Sequence, residues 1–384
     1  MQYFDAKEPN GGASNLGDLP QWDLSDLYPS ADSPALKADL EFIDSEAAAF
    51  AADYEGQLAE LDAAGFSACI QRNEVLSSKI GRVMSFAGLA YYQNTTDAGR
   101  AKFLSDCQSR ITEATSAMVF FDLEINRLED ELLKRWYAES ADVARYAPVL
   151  RRLRAMRPYQ LSDELEKFIH DTSVTGAAAW NRLFDETMAA LEFDVNDEVL
   201  PLEATLNLLT DNDRAKREAG ARALAAVFTT KISLFSRITN TLAKEKAVHE
   251  KWRKMPTPQT GRHLSNDVEP EVVQALRDAV VAAYPRLSHR YYALKAKWLG
   301  LETLQVWDRN APLPREDDRP IGWNEARDTV LEAYGEFDPR MAELGGKFFG
   351  NGWIDAEVKP GKSPGAFAHP TVTDVHPYLL LNYL

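Results

Sequence analysis

The chain has 384 residues, of which 45% are apolar, and its 59 acidic and 43 basic residues give a formal net charge of -16. This length allows two or three domains with a sizeable core, and the apolar fraction argues against disorder. A surface this negative repels phosphate groups, which argues against nucleic acids and anionic membranes as partners.

Two cysteines, Cys69 and Cys107, are present, and neither belongs to a CxxC pair. So few cysteines form no disulfide framework and are typical of a reducing compartment, and we expect both thiols to be buried structural groups. The N-terminus lacks a basic segment followed by an apolar stretch, and no run approaches the roughly 20 apolar residues of a membrane helix. We therefore expect a cytoplasmic protein.

The first 33 residues are rich in Gly, Pro, Asn, Asp and Ser, which predicts an extended leader. Within it, residues 22–28 (WDLSDLY) are expected to dock apolar side chains onto a core. From residue 34 one apolar stripe recurs at steps of three and four, through Leu36, Leu40, Ile43, Ala47 and Phe50. The same periodicity predicts further helices, in order, over residues 66–92, 101–137 and 141–157.

Ser162 is predicted to cap the next helix, with Asp163 and Glu164 in its first turn, where the helix dipole favours acids. The pattern predicts two apolar stripes in this region. They consist of Leu165, Phe168 and Ile169, and, in a helix over residues 175–191, of Trp180, Leu183, Phe184 and Met188. An extended pair over residues 193–195 and 199–202 follows.

Long helices are predicted over residues 211–254, 270–298 and 323–337, with a proline-rich loop over 306–314 in which Arg–Asp pairing at Asp308 fixes the shape. After Gly350 the period changes to short strands, over residues 353–355, 365–368 and 378–381. The sequence therefore predicts a mainly α fold with a small β-sheet near its C-terminal end. We expect three parts: a leader (1–33), an N-terminal helical domain (34–200) and the first part of a catalytic domain (201–384).

The histidines give no convincing metal site. His249 and Glu250 resemble the first half of HExxH, but Arg253 occupies the second ligand position, and a guanidinium does not bind a cation. His369 and His376 are seven residues apart beside prolines, which makes them a weak zinc pair and better candidates for lining a cleft. The residues Gly361-Lys362-Ser363 match only the end of a phosphate-binding loop, and we interpret that match as accidental.

Seven segments, taken in order, resemble one family, the oligoendopeptidase F group of the M3 zinc metallopeptidases in the thimet oligopeptidase clan. They are residues 22–28 (WDLSDLY), 161–166 (LSDELE), 179–186 (AWNRLFDE), 289–298 (HRYYALKAKW), 307–314 (WDRNAPLP), 352–367 (GWIDAEVKPGKSPGAF) and 377–383 (PYLLLNY). No single segment is decisive, whereas the ordered set spans the chain and is specific.

The resemblance implies a helical bowl with a deep channel and a small sheet beside the active site, and hydrolysis of internal bonds in short peptides. In that family two His of an HExxH helix and a later Glu bind zinc, and the Glu of the motif activates water. None of these residues is present here; the motif is expected shortly after Tyr383, whereas the sequence ends at Leu384. We therefore expect the N-terminal portion of such an enzyme, inactive by itself, with the catalytic segment as its partner and zinc only in the complete enzyme.

The resemblance carries over one set of site residues. In the family the strand at the GAF segment is expected to hold an extended peptide through backbone hydrogen bonds. By this match Gly365, Ala366, Phe367 and His369 are candidate peptide-contacting residues. The alternative interpretation is that Phe367 belongs to the core and Gly365 is only a turn residue.

Two other hypotheses remain open: a non-catalytic helical scaffold that binds peptides, and a fragment of a split gene. The terminal strand over residues 378–381 is apolar and has nothing after it to cover it. We expect it to be among the least protected parts of the fold.

Overall fold

The computed structural model describes residues 16–313 and 319–383, and α-helices dominate it. In the N-terminal half they are α1 (Pro34–Tyr54), α2 (Ala63–Gln93), α3 (Ala98–Thr115), α4 (Val119–Arg127), α5 (Asp130–Glu139), α6 (Ala141–Arg145), α7 (Ala147–Arg154), α8 (Asp163–Thr172) and α9 (Ala177–Ala189). The following helices are α10 (Leu202–Asn207), α11 (Arg214–Trp252), α12 (Thr260–Ser265), α13 (Pro270–Ala283), α14 (Ser288–Trp298), α15 (Trp323–Phe337) and α16 (Pro339–Gly350).

The strands are short and form two sheets. They are β1 (Glu192–Val195), β2 (Glu198–Pro201), β3 (Ile354–Asp355), β4 (Phe367–His369) and β5 (Tyr378–Leu380). Strands β1 and β2 form an antiparallel hairpin, and the other three form a sheet in the order β3-β5-β4. The predicted mainly α fold with a small sheet near the C-terminal end is confirmed. Of the described helices, none combines the length and apolarity required to cross a bilayer.

Helix α1 shows how the sequence pattern produces the first core. Ser33 caps it by accepting a hydrogen bond from the backbone N–H of Leu36, and Pro34 occupies its first turn. All five residues of the predicted stripe are buried, and most of them pack with α2 and α3 in one apolar cluster. The helical prediction here is confirmed residue by residue.

The leader docks onto the core as expected, and its partners there include the last strands of the chain. Trp22, Leu27 and Tyr28 are buried in the same cluster as Tyr378 of β5. Trp22 Nε1 donates to the Leu379 carbonyl at 2.9 Å, and Tyr378 Oη donates to the Asp23 carbonyl at 2.9 Å. The first 15 residues of the predicted leader lie outside the described part of the chain.

Three predicted helices are each divided in two or more. The segment 101–137 breaks at Leu128, whose ψ of 139° is incompatible with a helix. The segment 141–157 breaks at Tyr146. The segment 270–298 breaks around Pro285, because proline lacks the N–H that a helix requires. Apolar periodicity continued through these breaks, so the pattern alone did not reveal them.

The expected burial of the α8 stripe, which consists of Leu165, Phe168 and Ile169, is wrong, and the apolar stripe of α9 is not buried either. Neither helix contains a buried residue: Phe168 is 64% exposed, and Leu183 and Phe184 are 37% and 40% exposed. Ser162 does occupy the N-cap position of α8, but its side chain makes no capping hydrogen bond. An amphipathic pattern states which face is apolar, whereas burial requires a neighbour on that face.

The terminal strand also differs from its expectation. Strand β5 is the central strand of its sheet, parallel to β3 and antiparallel to β4, and Tyr378 and Leu380 are fully buried. The leader and α2 cover the face that carries these two side chains. The expected poorly protected strand is therefore a well-packed one.

Candidate functional site

Strand β4 lies at the edge of the three-stranded sheet. It pairs with β5 on one side, with Phe367 opposite Leu380 and His369 opposite Tyr378. On its other side no strand is present among the described residues. An edge strand offers backbone donors and acceptors that a further extended segment can pair with.

The pairing register identifies which backbone groups face the open side. The N–H groups of Leu379 and Leu381 donate at 2.8 Å to the carbonyls of Trp353 and Asp355, on the side of β3. The backbone groups of Tyr378 and Leu380 therefore face β4. In an antiparallel ladder the opposite residues, Phe367 and His369, then form hydrogen bonds to β5 through their own N–H and C=O groups. The N–H and C=O of Ala368 therefore point to the open side, and Ala368 is exposed.

Ala368 was missing from the residues that the sequence identified. The four predicted residues Gly365, Ala366, Phe367 and His369 do lie together, on β4 and its immediate approach. Because backbone groups alternate in direction along a strand, the residue between two candidates is the one that presents its hydrogen-bonding groups outward. That assignment requires the partner of the strand, which the sequence alone does not provide.

The side chains of Phe367 and His369 face inward, against α2. The Phe367 ring meets the rings of Tyr92 at 5.4 Å and Trp22 at 6.4 Å between centroids. His369 Nε2 lies 2.9 Å from Ser85 Oγ, and burial lowers the pKa of His369. These contacts fix the orientation of β4, and for the Phe367 side chain they agree with the core interpretation.

The approach to β4 is held in place by polar contacts. Gly365 has a φ of +80°, a conformation that favours glycine, and its N–H donates to Glu203 Oε1 at 2.7 Å. Asn382 Nδ2 donates to the carbonyls of Ser363 and Gly365 at 3.1 and 2.8 Å. Gly365 and Ala366 are both exposed, so small residues flank the open edge.

Lys362 anchors the approach to β4 through its buried side chain. Its side chain is fully buried; Nζ lies 2.6 Å from Asp355 Oδ1 and donates to the carbonyls of Glu357 and Leu381 at 2.6 and 2.7 Å. Gln93 Nε2 donates to the other oxygen of Asp355 at 3.1 Å, which joins the end of α2 to the sheet. A cation enclosed in this way is not accessible to a phosphate, which agrees with the accidental interpretation of the GKS match.

Acidic residues of α9 face the end of α2. The pKa of Tyr91 is raised by burial and by the charges of Glu186 and Asp185. Burial, and then the charge of Glu186, raise the pKa of Asp185 itself. Burial and the charge of Asp185 also raise the pKa of Tyr92, whereas the charge of Arg182 acts in the opposite direction on Tyr91.

The histidines singled out from the sequence lie apart. His376 stacks on Trp353 with 3.6 Å between centroids, and its Nε2 lies 2.9 Å from Asp26 Oδ2, whereas His369 faces α2. Arg253, in the second ligand position after His249, is bound by Glu166 through contacts of 2.5 and 2.7 Å. Across the residues described, no group of three or more His, Cys, Asp or Glu side chains is arranged to hold a metal ion.

The carboxylate of Asp308 is bound by arginines, but its neighbour in sequence, Arg309, is not one of them. Arg214 binds it through two contacts of 3.0 Å and Arg217 through one, while the N–H of Gln305 donates to it at 3.0 Å. Burial by itself would raise the pKa of Asp308, but the hydrogen bonds from Arg214, Gln305 and Arg217 outweigh it and lower the pKa to about 2. The carboxylate ties the loop to the start of α11, so it is a structural group.

Comparison with known proteins finds similarity to peptidases. The sequence profile of the family described as Peptidase_M3_N, Oligopeptidase F, matches residues 124–193. The chain is 23% identical over 374 residues to oligopeptidase PepF of Bacillus subtilis (strain 168), covering 94% of this chain and 54% of that protein. It is 24% identical over 383 residues to an oligoendopeptidase F homolog of Lactococcus lactis subsp. lactis (strain IL1403), covering 94% and 60%.

A solved structure shows the same fold. The crystal structure of oligoendopeptidase-F from Enterococcus faecium matches with a TM-score of 0.67 at 20% identity, over 81% of this chain and 64% of that chain. At this identity the likeness concerns the fold alone. The chain spans about half to three fifths of the length of the curated relatives it matches.

Proposed function

Since the chain belongs to the oligoendopeptidase F-like family of M3 peptidases, we propose that it forms the peptide-holding part of a zinc-dependent oligoendopeptidase. The complete enzyme would hydrolyse internal bonds of short peptides in the cytoplasm. This chain would contribute a helical N-terminal domain (34–200) and the first part of the catalytic domain (201–384).

The observation that carries the proposal is the open edge of β4. A peptide in extended conformation can lie beside this strand, accept a hydrogen bond from the N–H of Ala368 and donate one to its C=O. Backbone pairing of this kind tolerates many side chains. The small exposed residues Gly365 and Ala366 allow the peptide backbone to approach closely.

The described residues do not fit a zinc site, so no step of the reaction is assigned to them. We propose that the zinc ligands lie in polypeptide corresponding to the part of the relatives that these 384 residues do not match. On this proposal the 384-residue chain binds peptides but does not hydrolyse a quenched fluorescent peptide. Hydrolysis by the purified chain that a chelator abolishes would contradict it.

The binding role is tested with Ala368→Pro. Proline removes the outward N–H of Ala368 but no hydrogen bond of the sheet, and prolines are tolerated on edge strands. A fluorescent nine-residue peptide is expected to bind this variant about fivefold to tenfold more weakly, corresponding to roughly 1 kcal/mol for one lost hydrogen bond. Fluorescence anisotropy measures the change.

The matched control is Ala368→Ser, which keeps the backbone N–H at the same exposed position. It is expected to bind the peptide as the unchanged chain does. A peptide N-methylated at alternate residues provides the complementary control, because it lacks donors on one edge. Equal affinity of both variants and of both peptides would refute strand addition at β4.

A further inference from the structure

A cavity whose lining includes no residue of β4 lies between N-terminal helices and α12. It has a volume of about 830 Å³, opens to solvent, and is lined by residues that include those of α2, α4, α7, α8 and α12. This volume falls within the roughly 300–1,000 Å³ of small-molecule sites. Much of its wall is apolar, formed by residues that include Ile80, Met118, Leu153, Met156 and Ile169.

Two buried acceptors in this wall have no hydrogen-bond partner among the described residues. Asn126 is only 5% exposed, and its Oδ1 is unpaired. Gln160 donates through Nε2 to the Leu123 carbonyl at 3.4 Å, which leaves its buried Oε1 unpaired. An unpaired buried acceptor costs about 1–3 kcal/mol, so two that line one cavity indicate a donor that the protein itself does not supply.

The cavity also holds one unpaired charge of each sign. Asp122 lies four residues before Asn126, so both share one face of α4, and in the described chain its carboxyl forms no ion pair. Its side chain is open to the cavity, yet the surrounding protein removes enough water to raise the pKa of its carboxyl. Arg152, on α7, lines the same cavity and likewise has no ion pair within the described residues.

The other charged pair of the wall behaves differently. Glu166 and Arg253 also line the cavity, but they bind each other through two hydrogen bonds. Burial by itself would raise the pKa of Glu166, and the hydrogen bonds from Arg253 and from the Leu161 N–H lower it instead. The charges available to a ligand are therefore those of Asp122 and Arg152.

We propose that this cavity binds a small zwitterion, a free amino acid or a di- or tripeptide, with its ammonium group at Asp122, Asn126 and Gln160 and its carboxylate at Arg152. An ammonium supplies three donors and a positive charge to a wall that offers acceptors and a carboxylate. The apolar residues of the wall accommodate aliphatic side chains. The inference concerns binding at a place apart from β4 and does not rest on the proposed peptidase activity.

The test titrates the 384-residue chain with leucyl-leucine by isothermal calorimetry. N-acetyl-leucyl-leucine lacks the ammonium, and leucyl-leucine amide lacks the carboxylate. Each is expected to bind at least about tenfold more weakly, because charge-assisted hydrogen bonds contribute roughly 1.5–3 kcal/mol. If leucyl-leucine does not bind, the cavity holds water only and the proposal is wrong. Equal binding of all three ligands would also overturn it, because neither charged end would then be recognised.

Two variants connect each end of the ligand to one residue. Asp122→Asn is expected to weaken leucyl-leucine as much as acetylation does, and to have no further effect on the acetylated ligand. Arg152→Gln should weaken leucyl-leucine as much as conversion to the amide does, and should have no further effect on binding of the amide. Asp142→Asn and Arg237→Gln, exposed residues that do not line the cavity, are the matched controls and should leave all affinities unchanged. Additive losses from variant and blocked ligand would refute the assignment.

The remaining experiments identify where leucyl-leucine binds and which class of compound is the natural ligand. Ala368→Pro should leave leucyl-leucine binding unchanged, whereas a loss equal to that of the nine-residue peptide would place the dipeptide at β4 and overturn the proposal. Leucine, leucyl-leucine and trileucine are compared in the same way. Tightest binding by leucine supports a free amino acid as the natural ligand, and tightest binding by either longer compound supports a peptide.

Discussion

Asp308 is the residue whose contribution to stability can be predicted most directly. Its fully buried carboxylate is shared by Arg214 and Arg217, and Arg217 is itself only 3% exposed. A buried pair of this kind contributes little compared with a well-packed apolar core, but removal of one partner leaves the other as an uncompensated charge. The loop over residues 305–309 and the start of α11 therefore depend on one charge.

Asp308→Asn is expected to destabilise the chain by roughly 3–5 kcal/mol, because it leaves the buried guanidinium of Arg217 without its anion. Urea unfolding followed by circular dichroism measures the loss. Asp278→Asn serves as the matched control, since the Arg277–Asp278 pair is about two-thirds exposed at both residues and should change stability by less than about 1 kcal/mol. Equal effects of the two substitutions would contradict the structural role.

Stability should also depend on pH through Asp308. Its pKa in the folded chain is about 2, below the roughly 3.9 of an unfolded aspartate. A lowered carboxyl pKa stabilises the fold above the unfolded value, and that stabilisation, on the order of 2 kcal/mol, is lost as the pH falls from about 4 to about 2. Urea midpoints measured across this range should fall less steeply in Asp308→Asn than in the unchanged chain.

At the scale of elements, the position of a strand in its sheet decides what its residues do. Strands β4 and β5 are both three residues long and largely apolar, but β5 is paired on both sides and β4 on one. The N–H of Leu379 donates to the Trp353 carbonyl at 2.8 Å, whereas the N–H of Ala368 points away from the sheet. The same substitution should therefore destabilise the chain by different amounts in the two strands.

Leu379→Pro is expected to destabilise the chain by roughly 2–3 kcal/mol or more, because proline removes a ladder hydrogen bond of a central strand. Ala368→Pro, the matched substitution on the edge, should cost less than about 1 kcal/mol. Urea unfolding of both variants decides the matter. A larger loss from Ala368→Pro would show that its N–H is used within the fold and would remove the basis for peptide pairing at β4.

Helices α8 and α9 show that an apolar stripe in the sequence does not by itself ensure burial. Their apolar stripes were recognised correctly as stripes, but Phe168 remains 64% and Phe184 40% exposed. Helix α1 has the same kind of pattern and is buried, because α2 and α3 pack on its apolar face. Burial is therefore a property of the pair of elements and not of either sequence alone.

For the whole molecule, burial is distributed unevenly along the chain. Helix α2 carries fully buried residues such as Leu76, Val83 and Leu89, whereas α13 has no buried residue and leaves Leu276 66% exposed. Local stability follows local burial, since a segment with few buried contacts opens without unfolding the rest. The two helices should therefore differ widely in how often they open.

Hydrogen exchange followed by mass spectrometry should show this difference. Amides of α13 are expected to exchange at least about a hundredfold faster than those in the middle of α2, which corresponds to roughly 3 kcal/mol between local and global opening. Peptides from β5 should be protected with those of α2, because the strand is central and buried. Protection of α13 equal to that of α2 would contradict the expectation, and sedimentation would then show whether self-association covers it.

Much of the fold was accessible from sequence because local rules dominate it. The apolar period that begins at residue 34 marked the start of α1, and the β1–β2 pair was recognised from its short extended runs. The breaks at Leu128 and Tyr146 were not, since the apolar period continues through them. The candidate site was found only as a segment, because the direction of each backbone group on β4 depends on its pairing with β5.

The sequence by itself determined that this chain is mainly helical, acidic and built on apolar stripes of period 3.6, and its ordered segments indicated the peptidase family. These properties follow from interactions between residues near one another in the chain. Only the tertiary structure decided that β5 is central and β4 an edge, that Asp308 binds two arginines of α11, and that Asp122, Asn126 and Arg152 share a cavity. Each of those depends on contacts between distant segments, which a linear pattern does not specify.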